Sequence, residues 1–268
     1  MFREPPEALI KKEFLSRYKN WREQIWYQLV ALNMRLYLYN ELKDLIIFIS
    51  YPPQMVYMNY PLLPVVLSDF LQVSCIIACK LGAKREELSF PSFSKRIKEN
   101  IKKTDKRREF ERLLVERYDI LESNTNEKAR LFKDIKELRD KWFAHFDEKY
   151  YLSQDIRTQK QLLKKLHDLS FNLNVLLDHF KDWFDFICFG ESGSFPLLPI
   201  VYSENYVGPP NDVQILKREI ITRSWIFNLP DEDPEYWQYC KEKILDPSEV
   251  QIIEKYRKIY KRERRMTK

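Results

Sequence analysis

The stretch Leu138-Arg139-Asp140-Lys141-Trp142-Phe143-Ala144-His145-Phe146-Asp147 decides how the rest of the chain is read. It holds one of three histidines in 268 residues, with an arginine six positions ahead of it. At roughly 100° per residue, Leu131, Ile135, Leu138, Trp142 and His145 fall on one stripe of a helix, and Phe132, Arg139, Phe143 and Phe146 on the next. That pattern predicts a helix with a broad buried face. On a straight helix Arg139 and His145 stand about 120° apart. They meet if two copies pack across a two-fold axis, or if the helix ends near Ala144 and the chain swings the histidine back.

The residue types fit acid–base chemistry on a phosphodiester. A neutral imidazole takes a proton from a nucleophile, and an imidazolium protonates a leaving oxygen. A guanidinium is always charged and matches two phosphate oxygens at once. RNA brings its own nucleophile, the 2′-hydroxyl, so this chemistry needs neither metal nor cofactor. The plain alternative is structural: His145 as a core histidine on an apolar stripe, and Arg139 as a surface side chain with a buried stem.

Arg139-Asp140-Lys141-Trp142-Phe143-Ala144-His145 resembles the signature of the HEPN superfamily: an arginine, four to six residues, then a histidine, with a polar residue after the arginine. The ending Phe-Ala-His-Phe-Asp looks like the branch found in abortive-infection proteins. Leu67-Ser68-Asp69-Phe70 through Ser89-Phe90-Pro91-Ser92-Phe93 is similar to that branch too, as an apolar helix with an aspartate followed by a serine-hydrophobic-proline lead into the next helix. The likeness covers roughly residues 20 to 187. It implies an all-α, HEPN-like helical bundle that dimerises and cleaves RNA without metal at a composite site, as an endoribonuclease of a defence (phage defence) or toxin type. In that scheme Arg139 and His145 are catalytic, and Asp140 and Lys141 support them. A toxin of this kind implies RNA and an antitoxin protein as partners. The resemblance equally covers catalytically inactive HEPN modules that bind RNA or a protein. Some HEPN toxins carry a tyrosine two residues after the histidine, which a partner nucleotidyltransferase modifies. Here that position is Asp147, so that form of control is not expected.

Composition agrees with a helical protein. Four glycines argue against Gly-rich phosphate loops and tight β-turns, and no Walker or Rossmann pattern is present. Seventeen Phe, 16 Tyr and 6 Trp supply a sizeable core. The net charge of +6 resides in the tail, where Gln251 to Lys268 holds eight Lys or Arg against two Glu. Such a tail either contacts an anionic partner or is a solvated terminus. A second basic run, Lys95 to Arg112, has nine Lys or Arg against four acids and includes Lys102, Lys103, Arg107 and Arg108 as candidate RNA contacts. Its alternative is a helix face of i,i+4 pairs. Cys75 and Cys79 share a helix face with no histidine or third cysteine nearby, so no zinc site is expected. The four cysteines read as small apolar residues of a reducing, cytoplasmic compartment. The start of the chain does not read as a signal peptide. The apolar run Leu62 to Leu81 is broken by Pro64, Asp69 and Gln72 and reads as a buried helix, not a membrane span.

Taken in order, the sequence predicts helix from Pro5-Pro6 to about Ile49 with a break near Asn20, then a Pro-Tyr-Met loop from Tyr51 to Pro61. Helices follow over Leu62 to Leu81 with Gly82 as C-cap, from a Ser89 or Ser92 cap to Lys103, and from Thr104 to Leu121. After the turn Ser123 to Asn126, the motif helix spans Glu127 to Phe146, and a long helix carrying His167 and His179 spans Ser153 to Phe189. The domain reading is a bundle over 1–189, a linker over 190–214 and a mostly helical C-terminal extension over 215–268. In the extension, Ile215 to Phe227 fits helix or strand. Asp231 to Pro234 starts a helix to Leu245, and Asp246-Pro247-Ser248-Glu249 starts another.

Overall fold

A computed structural model describes residues 4–50, 62–122, 127–140, 156–190, 195 and 212–266. Among these residues the chain forms twelve helices and no strand, so the all-α expectation is met. The helices are α1 (Pro6–Leu9), α2 (Lys12–Leu42), α3 (Leu45–Ser50), α4 (Leu62–Gly82), α5 (Phe90–Glu99), α6 (Thr104–Glu122), α7 (Glu127–Leu138), α8 (Ile156–Ile187), α9 (Asp212–Arg223), α10 (Trp225–Glu232), α11 (Pro234–Lys243) and α12 (Pro247–Met266). The Tyr51 to Pro61 loop, the Ser123 to Asn126 turn and nearly all of the linker lie outside the described residues.

Most boundaries follow from local chemistry. Pro64 falls in the first turn of α4, where a missing N–H costs nothing, so the helix begins ahead of it. Ser89, and not Ser92, caps α5: its Oγ accepts from the Ser92 N–H at 3.3 Å and donates to the Glu86 carbonyl at 2.8 Å. Asp233 caps α11 by accepting the Tyr236 N–H at 2.9 Å, and Glu249 reaches back to the Asp246 N–H at 2.9 Å at the start of α12. The expected break near Asn20 is absent. Trp21 and Ile25 are buried there, the Gln24 amide donates to Asn20, and α2 continues to Leu42. The ambiguous segment from Ile215 to Phe227 is two helices, α9 and α10, divided at Ser224, whose hydroxyl accepts the Phe227 N–H.

The chain forms two compact units, Met1–Tyr37 with Phe70–Val201, and Leu38–Asp69 with Tyr202–Lys268. In the first, α8 is the spine. Its Leu169, Leu173, Leu176, Phe180, Trp183 and Ile187 are buried, and Phe90 of α5 stacks on Phe180 and Trp183 at 5.3 and 5.4 Å. The Trp183 indole N–H donates to Ser94 Oγ at 2.9 Å, and the Tyr18 hydroxyl donates to the Ile187 carbonyl at 2.8 Å, which satisfies one of the last carbonyls of α8. Helix α8 ends through Phe189 and Gly190, both at positive φ. Phe189 tolerates this backbone because its ring is buried against Tyr18 and Phe110. Helix α7 packs on α6 and α8.

The second unit gathers α3 with α9, α10 and α12. Phe48 meets Tyr256 edge-on at 5.6 Å, the Tyr256 hydroxyl donates to Asp44 at 3.2 Å, and Lys217 pairs with Glu41 at 2.9 Å. Two tail cations share one acid within this unit: Arg257 pairs with Asp231 at 2.8 Å and Lys261 pairs with the same carboxylate. In α4, the window Val65–Gly82 is long and apolar enough to cross a membrane by length and composition, and 39% of it is buried in the protein.

Candidate functional site

The motif stands at the end of α7. Ile135 and Leu138 are buried and fix the helix against the core. Close approach to α4 is set by Gly82: a Cβ there would come within 2.6 Å of the Phe132 ring. This glycine, read as a C-cap, is the last residue of α4 and also leaves room for that ring. After Leu138 the backbone at Arg139 and Asp140 winds as π-helix. A π turn holds an extra residue, so the 120° separation derived for a regular helix does not carry past this point.

Arg139 is partly buried, with 26% of its side chain exposed. Its Nε donates to Asp140 Oδ1 at 2.7 Å, and its Nη2 lies 2.5 Å from the same oxygen. The contact does not use Nη1. A paired, partly buried guanidinium has fewer orientations to lose when it meets an anion than one on a free surface. Asp140 therefore orients the Arg139 guanidinium. Lys141 and His145 lie outside the described residues.

Cys79 of α4 feels this site. Burial pushes its thiol up to about 12, while the Arg139 charge works against that rise and the Asp140 charge adds to it. Burial also raises Cys75, with the Cys79 charge adding to the effect. These thiols are protonated at neutral pH and cannot serve as nucleophiles. His179 is buried, with its ring 5.6 Å from Trp183 and 6.1 Å from Phe180, so it belongs to the core. The side chain of His167 lies outside the described residues. Among the described residues no group of three His, Cys, Asp or Glu is placed to hold a metal ion.

The basic run has mixed surroundings. The Lys102 ammonium donates to the Glu7 carbonyl at 2.7 Å, Lys103 lies 3.9 Å from Glu4, and Arg107 donates to the Ile101 carbonyl at 3.0 Å. Arg108 is exposed. A groove of about 710 Å³ instead draws on Lys95 and Arg96 from the start of this run, together with Lys84 and Arg85. Lys84 and Arg85 stand outside the run as the sequence delimits it. The signal that would have found them is the pair of adjacent dibasic steps flanking the Ser89 cap. No protein-family model, no curated protein and no solved structure matches this chain.

Proposed function

We propose that this chain is a HEPN-type, metal-independent endoribonuclease acting in a defence or toxin role, with a composite site formed in a homodimer. One observation carries the reading. Arg139, the arginine of the Arg-x5-His motif, is oriented by Asp140, the polar residue that follows it. The π winding at the same two residues supports it, since such irregularities are frequent at functional sites.

The reaction needs no external nucleophile. The 2′-oxygen attacks the adjacent phosphorus as His145 of one state, neutral, takes the 2′-proton. The bond from phosphorus to the 5′-oxygen breaks, and an imidazolium gives that oxygen a proton. Arg139 holds the phosphate and stabilises the charge that builds on its non-bridging oxygens. Asp140 and Lys141 support the pair. The products are a 2′,3′-cyclic phosphate and a 5′-hydroxyl, and the site calls for no cofactor. Incubating the full chain with a mixed-sequence RNA in EDTA tests this. Fragments ending in 2′,3′-cyclic phosphate are expected. Cleavage that requires a divalent metal, or fragments ending in 3′-hydroxyl, would contradict it. An antitoxin partner and a cytoplasmic location belong to the same proposal.

A further inference from the structure

We infer that Lys136, one helical turn ahead of Arg139, is a substrate-binding residue of the same site and takes a phosphate of the RNA backbone as a point charge. This deepens the proposed function, and rests on it for the identity of the polymer. The need for a second cation follows from the pairing of the first. Arg139 donates to Asp140 at 2.7 Å, so the two charges sum to zero, and such a pair presents little net field to a phosphodiester. Lys136 makes the three charges together net positive. It lies in the last turn of α7 and is exposed, and among the described residues it forms no ion pair.

Helix geometry says which charges Lys136 works with. At roughly 100° per residue it stands about 60° from Arg139, whereas Asp134 and Glu137 stand about 140° and 160° from Arg139, on the other side of α7. Residues 134 to 138 wind as regular α-helix, so these angles hold up to the point where the π winding begins. The core fixes the orientation of this face: Ile135 and Leu138 are buried, and the Phe132 ring sits against Gly82 of α4. The charges of Lys136 and Arg139 act in the same sense on the Cys79 thiol of α4, which places both cations within electrostatic reach of one buried atom. The two side chains suit different tasks. The ammonium is a compact charge on a flexible stem and meets a phosphate from many directions, while the planar fork of Arg139 fixes one orientation. Lys136 therefore contributes to binding and carries no base preference.

The test measures binding of a fluorescein-labelled 2′-O-methyl oligouridylate, which has no free 2′-hydroxyl to attack, to the full chain in EDTA, by anisotropy across a salt series. One single-strand phosphate contact contributes about 0.7 to the slope of log K against log salt, so Lys136→Gln should be shallower than wild type by that amount. Lys136→Arg keeps the charge and should keep the wild-type slope. Lys133→Gln removes a lysine about 120° from Arg139 on the same helix and should leave the slope unchanged. On mixed-sequence RNA, Lys136→Gln should raise KM with kcat near wild type, in contrast to the loss of kcat expected for Arg139→Ala. A lysine that only answers the C-terminal dipole of α7 would, when replaced by Gln, lower the melting temperature and leave the slope alone, and that result overturns the inference. An equal loss of slope in Lys133→Gln, or no binding by wild type, overturns it as well. The two readings fail separately. Lys136-dependent binding by a wild-type chain that never cleaves removes the proposed activity and leaves the phosphate contact standing, while cleavage with KM and slope unchanged in Lys136→Gln removes the contact and leaves the activity.

Discussion

Gly82 and Phe132 show how a single atom controls the position of the motif helix. Replacing Gly82 by Ala drives a Cβ into the Phe132 ring, and overpacking of this kind costs about 1–3 kcal/mol. A clear fall in melting temperature is expected for Gly82→Ala, and an unchanged melt would mean that the ring swings aside freely. The cysteines make a second residue-scale prediction. All four are buried, and burial pushes the Cys79 thiol up to about 12. Thiol titration of the native chain at pH 8 should find essentially none reactive, and all four should react in denaturant. Rapid native labelling would contradict that burial. At this scale the sequence was informative about residue types and blind to geometry. Arg139 and Asp140 pair where the backbone winds as π-helix, and no periodicity assuming 100° per residue can register that winding.

At the scale of the element, the caps carry the information. Ser89-Phe90-Pro91 and Asp246-Pro247-Ser248-Glu249 are legible because a cap is satisfied by neighbours three residues away. Ser89→Ala removes the cap of α5 and leaves the Glu86 carbonyl without its hydroxyl donor, so a loss of about 1 kcal/mol or more is expected in chemical denaturation. The continuation of α2 past Asn20 was not legible, because burial of Trp21 and Ile25 is decided by other elements. Asp231 gives a pH-dependent case. The hydrogen bond from Lys261 holds its carboxyl below the ordinary range, with burial opposing it and a further hydrogen bond from Arg257 adding to it. A depressed folded-state value means that the contribution is present above the unfolded value and is lost as pH falls through the folded one. Asp231→Asn should therefore melt lower than wild type at neutral pH and converge with it in acid. A constant difference at all pH values would show that the two cations do not stabilise through that charge.

At the scale of the molecule, the helical class follows from composition and periodicity, and the grouping of elements does not. Leu38–Asp69 and the C-terminal helices share a unit through contacts between residues far apart in the chain: Lys217 with Glu41, and Tyr256 with Asp44 and Phe48. Nothing in a local pattern announces such pairs. The proposed composite site makes its own prediction at this scale, a homodimer in sedimentation at tens of micromolar, roughly the range well above a specific dimer's dissociation constant. A strict monomer there would remove the composite site. The most direct measurement of the central claim is RNA cleavage by Arg139→Ala, Arg139→Lys and His145→Ala chains shown to be folded and to bind RNA as wild type does. The account predicts that His145→Ala loses cleavage by about 10² to 10⁴, that Arg139→Ala falls severely, and that Arg139→Lys does not restore it, because an ammonium lacks the planar fork. Cleavage at the wild-type rate by folded His145→Ala protein would contradict it.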